Sequence, residues 1–269
     1  VMNTFSAILL GIVQGVTEFL PVSSTGHLVL VRDWLQADGG NALAFDAVLH
    51  FATTAAVIIY FRSDLWALLQ TLLRKLSRLP VNQKDWLLLQ TLVLATIPAV
   101  IVGLLLESFI SQFQTPYIVA SVLFCASIFF MYAEWRYYIR PTPTSLTLAK
   151  GLGIGLFQAL ALIPGFSRSG ATIAGGMLLG LSRYEASRFS FLLAIPITLG
   201  VGTKMLLELL KEGSTVDWTP IYIGAAVSFV TALFVIHFFL AFIRKYTLWP
   251  FVWYGIILAS AVGYVALVG

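Results

Sequence analysis

Gln14-Gly-Val-Thr-Glu18-Phe-Leu-Pro21-Val-Ser23-Ser24-Thr25-Gly26-His27 and Gln158-Ala-Leu-Ala-Leu-Ile-Pro164-Gly-Phe-Ser167-Arg168-Ser169-Gly170-Ala-Thr172 are two polar stretches in an otherwise apolar chain. Each falls where a membrane helix is expected, and each is broken by proline, glycine and hydroxyl residues. An offset of 144 residues lays Gly11 on Gly155, Gln14 on Gln158, Ser23 on Ser167, Thr25 on Ser169 and Gly26 on Gly170. Five matches at one offset, all in or beside the two unusual stretches, mark a duplicated unit.

The chain around them has 269 residues, 59% hydrophobic and 10% charged, with a mean hydropathy of +0.92. Soluble domains carry roughly 25% charged residues. Apolar runs of about 20 residues recur along the whole length, which predicts an all-α polytopic membrane protein and excludes a soluble fold. The net charge of +4 then belongs to loops that orient the protein in the bilayer, and no nucleic-acid partner is expected. Cys125, the single cysteine, allows no internal disulfide. No Lys or Arg precedes Arg32, so a secretory signal with a basic start is not expected.

Residues 3–31 are interrupted at Pro21, and neither half reaches the roughly 20 residues of a straight span. They read as a re-entrant hairpin with Ser23 to Gly26 at the turn. Spans are predicted at 44–61, 87–106 (kinked at Pro98) and 117–135, with a basic loop over 62–86 carrying Arg62, Arg74, Lys75, Arg78 and Lys84. A second re-entrant hairpin at 151–181 follows, then spans at 187–208, 220–242 and 250–268. The expectation is thus one membrane domain, residues 1–269, with six transmembrane helices plus two re-entrant hairpins. Its halves, 1–135 and 151–269, each hold three spans, an odd number, so they form an inverted-topology repeat. With the 62–86 loop in the cytoplasm, Arg136, Arg140, Lys150, Arg183, Arg188, Arg244 and Lys245 also fall inside, and Glu208, Glu212 and Asp217 outside. Both termini are then outside, and the hairpins enter from opposite faces, so that their tips can meet near the middle.

An intramembrane polar cluster needs a reason, because each unpaired group in hydrocarbon costs several kcal/mol. Glu18 stands four residues after Gln14, on the same helix face. A snorkelling or simply paired carboxylate is the plainer alternative. The Ser23-Ser24-Thr25-Gly26 run after Pro21 reads as a helix start, where hydroxyls cap and free backbone N–H groups can bind an anion, above all phosphate. A cap without ligand is the plainer alternative. Ser167-Arg168-Ser169-Gly170 repeats the design and adds a planar guanidinium suited to phosphate. Arg168 at mid-depth needs a partner, either Glu18 or a bound phosphate. Ser24 and His27, three apart, can be neighbours, and Glu18 across the turn could orient His27 or hold a divalent cation, Mg2+ or Ca2+. Such equipment suits phosphoryl transfer.

Asp46 and His50, four apart near the outer end of the first span, read either as a wet helix end or as a rim of the site. His237 reads as packed or lipid-facing, Glu134 and Trp135 as an interfacial span end, and Lys204 as a snorkelling side chain.

At these residues the chain resembles the undecaprenyl-pyrophosphate phosphatase, or bacitracin-resistance, family. That family carries (E/Q)-x-x-x-E followed by P-V-S-S-T-G-H, here Gln14 to Glu18 and Pro21 to His27, and P-G-F-S-R-S-G-A-T, here Pro164 to Thr172. Ala95-Thr-Ile-Pro98 and Phe189-Ser-Phe-Leu-Leu-Ala-Ile-Pro196 are similar to the family too, and the resemblance runs over nearly the whole chain. It implies a multi-pass enzyme of the bacterial cytoplasmic (inner) membrane, with a site open to the outer face. It also implies inverted repeats, divalent-cation dependence and a polyprenyl pyrophosphate lipid as substrate, dephosphorylated to recycle the cell-wall carrier. Because the first motif position is the neutral Gln14, a metal here gains one carboxylate, Glu18, rather than two.

The reading is therefore hydrolysis of the terminal phosphate of a lipid pyrophosphate. Ser24 is expected as nucleophile, His27 as base and acid, and Glu18 as orienter of His27 or of the metal. Arg168, with Gln14, Ser23, Thr25, Gly26, Ser167, Ser169, Gly170 and Thr172, binds phosphate. Attack by His27, with Ser24 only positioning, stays open. A lipid-phosphate flippase or transporter using the same anion site is the alternative class; a purely structural bundle is disfavoured by the cost of burying Glu18 and Arg168. Membrane lipids and a second copy in a homodimer are the remaining expected partners.

Overall fold

A chain in hydrocarbon must pair its backbone groups within each segment, and this one does so as helices. The computed structural model describes residues 3–37, 42–110, 115–139, 143–212 and 217–268, and among these there are eleven helices and no strand. The first half holds α1 (Thr4–Thr17), α2 (Ser24–Trp34), α3 (Ala42–Tyr60), α4 (Arg62–Leu76), α5 (Gln83–Ile110) and α6 (Pro116–Ile139). The second holds α7 (Leu148–Leu160), α8 (Arg168–Leu178), α9 (Arg183–Glu212), α10 (Trp218–Ile243) and α11 (Trp249–Val268).

Among the described residues, five helices are long and apolar enough to cross a membrane: Ala42–Tyr60, Gln83–Leu106, Tyr117–Ile139, Arg183–Lys211 and Trp218–Ile243. α1, α7 and the Trp249–Val265 part of α11, where a sixth span is expected, are apolar but shorter. The prolines Pro98 and Pro196 both lie inside helices that continue past them. Leu104, Leu105, Phe234, Phe238 and Ile257 stand exposed on the outer faces, as lipid-facing side chains do.

The structure corrects two local expectations. Much of the basic loop at 62–86 is helix α4. Leu65, Leu68, Leu69, Leu72 and Leu76 recur at helical spacing, and the first four of them line an apolar groove of about 540 Å³ with α5 and α9. Its basic residues, which made it look like a loop, occupy the solvated face and the last turn, Arg74 and Lys75. Glu134 is not an interfacial span end either. α6 runs on to Ile139, and Glu134 is fully buried, accepting from Arg183 Nε at 3.1 Å and from Arg183 Nη2. Trp135 beside it is exposed. Lys204 lies 3.6 Å from Glu208 one turn on, and His237 Nδ1 lies 3.4 Å from the Tyr60 hydroxyl. Residues 111–114, 213–216 and Arg140 lie outside the described residues.

The halves interlock by exchange. α1 packs along α10 of the other half, and α7 packs along α5; α3 crosses α9, and α6 packs on α11. Gly11 and Gly155, 144 positions apart, do the same job in the two exchanged contacts. A Cβ on Gly11 would lie 2.5 Å from the Gly224 carbonyl oxygen, and one on Gly155 would lie 2.5 Å from that of Ala95. Small residues let helix backbones touch, the usual basis of close packing in membranes. At the α3–α9 crossing, Thr54 and Thr198, again 144 apart, share a hydrogen bond of 2.6 Å between their hydroxyls. Phe19 packs edge-to-face on Phe191, and Phe191 packs at a tilt on Phe239, through a large buried cluster, at centroid separations of 5.3 and 5.7 Å.

Adding a methyl group at the exchanged contact should therefore force the helices apart. Gly155→Ala is expected to destabilise the protein by about 1–3 kcal/mol, whereas Gly200→Ala, where nothing lies within 4 Å of an added Cβ, should leave stability unchanged or raised. Unfolding midpoints in detergent check the pair.

Candidate active site at the two hairpin tips

α1 ends at Thr17 and the chain turns through Pro21 before restarting as α2; α7 ends at Leu160 and restarts as α8 after Pro164. The residue ahead of each restart is a serine in the left-handed region, Ser23 at φ 67° and Ser167 at φ 69°. Left-handed backbone at a non-glycine residue costs on the order of 1 kcal/mol or more, and such strain clusters at functional sites. The same strain at two positions 144 residues apart turns both helix starts sharply inward. Ser167 Oγ caps its helix, accepting from Gly170 N at 3.2 Å. Ser23 makes no side-chain cap, contrary to the expectation that hydroxyls cap both starts.

The two tips touch through Glu18. Its Oε1 accepts from Arg168 Nη2 at 2.8 Å, and its Oε2 accepts from Ser24 Oγ at 2.9 Å and from Gln14 Nε2 at 3.0 Å. Glu18 is 6% exposed and the Arg168 side chain 12%, so this is an ion pair shielded from water. Arg168 Nη1 donates to the Ser190 carbonyl at 3.2 Å, and Ser169 Oγ donates to the Leu20 carbonyl at 2.8 Å, a second stitch between the hairpins. Thr172 Oγ1 bonds Ser190 Oγ at 2.6 Å.

Four expected site residues thus meet directly: Gln14, Glu18, Ser24 and Arg168. His27 is held elsewhere. Its Nδ1 lies 2.8 Å from the Ser23 carbonyl oxygen and its Nε2 lies 2.6 Å from the Tyr254 hydroxyl. The expected Ser24–His27 and Glu18–His27 contacts are replaced by Ser24–Glu18, because the turn at Ser23 points the serine back towards α1. Thr25 is exposed beside the site. Gly26 leaves ordinary space, its nearest neighbours being Ser23 and Val119. Gly170 serves packing, since a Cβ there would lie 2.0 Å from Phe130 Cζ. Ser167, Ser169 and Thr172 are buried and partnered within the protein.

Asp46 pairs with Arg32, tying α2 to α3, rather than ending its helix in open water. His50, on the same helix, comes within electrostatic reach of Glu18, and its Nδ1 is buried without a partner. Gln14 Oε1 is likewise buried and unpaired beside the carboxylate. Among the described residues no group of three or more His, Cys, Asp or Glu stands together, so any divalent cation would rely on one carboxylate and neutral oxygens. Tyr254 and Ser190 are contributors that sequence reasoning missed. Tyr254 is an ordinary residue of an apolar helix, and Ser190, though inside the family-like segment from Phe189 to Pro196, was not read as a site residue.

The family model described as "Bacitracin resistance protein BacA" matches residues 7–261. An "Undecaprenyl-diphosphatase" of Trichlorobacter lovleyi is 41% identical over 272 residues, covering 100% of this chain and 98% of that protein. Proteins of the same name are 40% identical in Rubrobacter xylanophilus, over 97% of both chains, and 40% identical in Idiomarina loihiensis, over 96% of this chain and 97% of that one.

Removing one partner of a buried ion pair strands the other charge, at about 3–5 kcal/mol. Glu18→Ala and Arg168→Ala should each destabilise the protein on that scale, and the double variant should lose clearly less than their sum. A double-mutant cycle of unfolding free energies measures the coupling.

Proposed function

This chain belongs to the bacitracin resistance protein BacA family, and on that premise we infer that it is a multi-pass membrane phosphatase that hydrolyses undecaprenyl diphosphate. The observation that carries the inference is identity of about 40% over nearly the full length to relatives named for that reaction. The reported relatives are not named for transport, and no geometry described above favours a flippase.

In the mechanism we propose, the diphosphate sits against the starts of α2 and α8, whose free N–H groups and dipoles attract anions. Arg168 faces the same gap and has further N–H donors beyond those spent on Glu18 and Ser190. Ser24 Oγ attacks the terminal phosphorus and passes its proton to Glu18, the acceptor it already touches. The bond to the bridging oxygen breaks and leaves undecaprenyl phosphate and a phosphoserine. Water then attacks the phosphoserine, its proton taken by His27, and Ser24 recovers its hydrogen from Glu18 as inorganic phosphate departs. Attack by His27 is the second reading. It is favoured by one observation: Nδ1 lies 2.8 Å from the Ser23 carbonyl oxygen, which leaves Nε2 as the nitrogen turned away from its own backbone.

The residues fit a hard divalent cation such as Mg2+ or Ca2+: Gln14 Oε1, the Glu18 carboxylate and the Ser24 hydroxyl are all oxygen donors, with water and substrate phosphate to complete the shell. Bound there, the ion would offset the charge of the diphosphate.

We further read the fold as six spans and two re-entrant hairpins in inverted repeats, residues 1–135 and 151–269, in the bacterial inner membrane. The exchanged α1–α10 and α7–α5 contacts support it. Both termini and the site would face outward. That orientation is supported by the gathering of basic side chains at the opposite end, where Arg188 pairs with Asp64, Lys150 with Thr144, and Arg244 stacks on Tyr184.

Purified protein in detergent with Mg2+ should release phosphate from undecaprenyl diphosphate, and Ser24→Ala, His27→Ala and Arg168→Ala should each lower the rate by about 10²–10³-fold or more. Near-normal release by Ser24→Ala, with an acid-labile phosphohistidine trapped, would replace serine by His27 as nucleophile. Lipid binding by the wild type with no phosphate release would overturn the phosphatase reading.

A further inference from the structure

His27 is oriented from two sides, and neither side is a carboxylate. The Ser23 carbonyl oxygen can only accept, so the proton of the neutral imidazole sits on Nδ1. The lone pair is then on Nε2, and the group facing it at 2.6 Å is the Tyr254 hydroxyl, which must be the donor. The two rings lie nearly parallel, 12° apart with centroids at 5.7 Å. His27 stands in the first turn of an 11-residue helix, just after the strained Ser23. Among the described residues its hydrogen-bond partner from outside that hairpin is Tyr254, 227 residues away on α11.

We propose that Tyr254 is a positioning residue of the hydrolytic site, whose hydroxyl aims Nε2 of His27 and masks it until substrate arrives. A phenol suits this task because it donates and accepts. When His27 takes a proton at Nε2, the hydroxyl turns from donor to acceptor and the ring stays in place in both states. Phenylalanine would keep the stacking and lose the aim. The orienter of the base that serves the water step is thus supplied by α11 rather than by an acidic residue.

The inference rests on the phosphatase reading for its kinetic arm but not for its chemical one. In Tyr254→Phe, kcat should fall by about 10–100-fold, the scale for losing an orienting hydrogen-bond partner, while KM stays within about twofold. In a His27→Ala background the same substitution should cost nothing further, because there is no ring left to aim. An unchanged kcat, or an equal fold-loss in both backgrounds, would overturn the proposal. Independently of turnover, diethylpyrocarbonate acylates an unprotonated imidazole nitrogen. His27 should therefore be modified several-fold faster in Tyr254→Phe than in wild type, read by peptide mass spectrometry. Equal rates would overturn the masking contact whether or not the protein hydrolyses the lipid. Absent phosphate release by the wild type would count against the function alone.

Discussion

The ion pair between Glu18 and Arg168 is the constraint on which the rest of the site depends. Each charge alone would be expensive at that depth, and each belongs to a different hairpin. Pairing them joins the two broken helices at their tips, and the Ser169 to Leu20 bond closes the same seam. The pair also leaves work undone. Glu18 still accepts from Ser24 and Gln14, and Arg168 still has N–H groups to offer. A buried pair that were purely structural would satisfy itself. This one holds a hydroxyl in reach and leaves the Gln14 Oε1 and His50 Nδ1 atoms unpaired nearby.

The positions of those tips follow from backbone contacts that only small residues permit. Gly11 against Gly224 and Gly155 against Ala95 bring α1 onto α10 and α7 onto α5. The strained serines at φ 67° and 69° then turn α2 and α8 inward. The chemistry is divided unevenly over this matched frame. The first hairpin carries carboxylate, hydroxyl and imidazole, and the second carries the guanidinium and a capped helix start. Two similar helix starts, 144 residues apart, thus carry different groups.

Family membership and geometry answer different questions. Identity over the full length speaks to the reaction. The contacts speak to which atoms meet, and they put the Ser24 hydroxyl on Glu18 rather than on His27. His27 is anchored instead by Ser23 and Tyr254.

Much of this was legible in the sequence. Apolar runs with few charges can only be helices in a bilayer, and Pro21 and Pro164 must break them, so all-helical architecture and the two interruptions follow from composition and local sterics. The cost of burying Arg168 required a partner, and Glu18 was one of two candidates. Two limits of local reading show in α4 and Glu134. The leucine stripe of α4 was hidden behind its charges, and Glu134 looked interfacial because its partner, Arg183, lies 49 residues on. Tertiary structure alone decided which atoms meet. Whether Ser24 turns to Glu18 or to His27 depends on the torsions of Ser23, and the Tyr254 contact depends on where α11 lies against α2 and α6. Those are sums of many weak contacts between segments far apart in the chain, and no short window of sequence contains them.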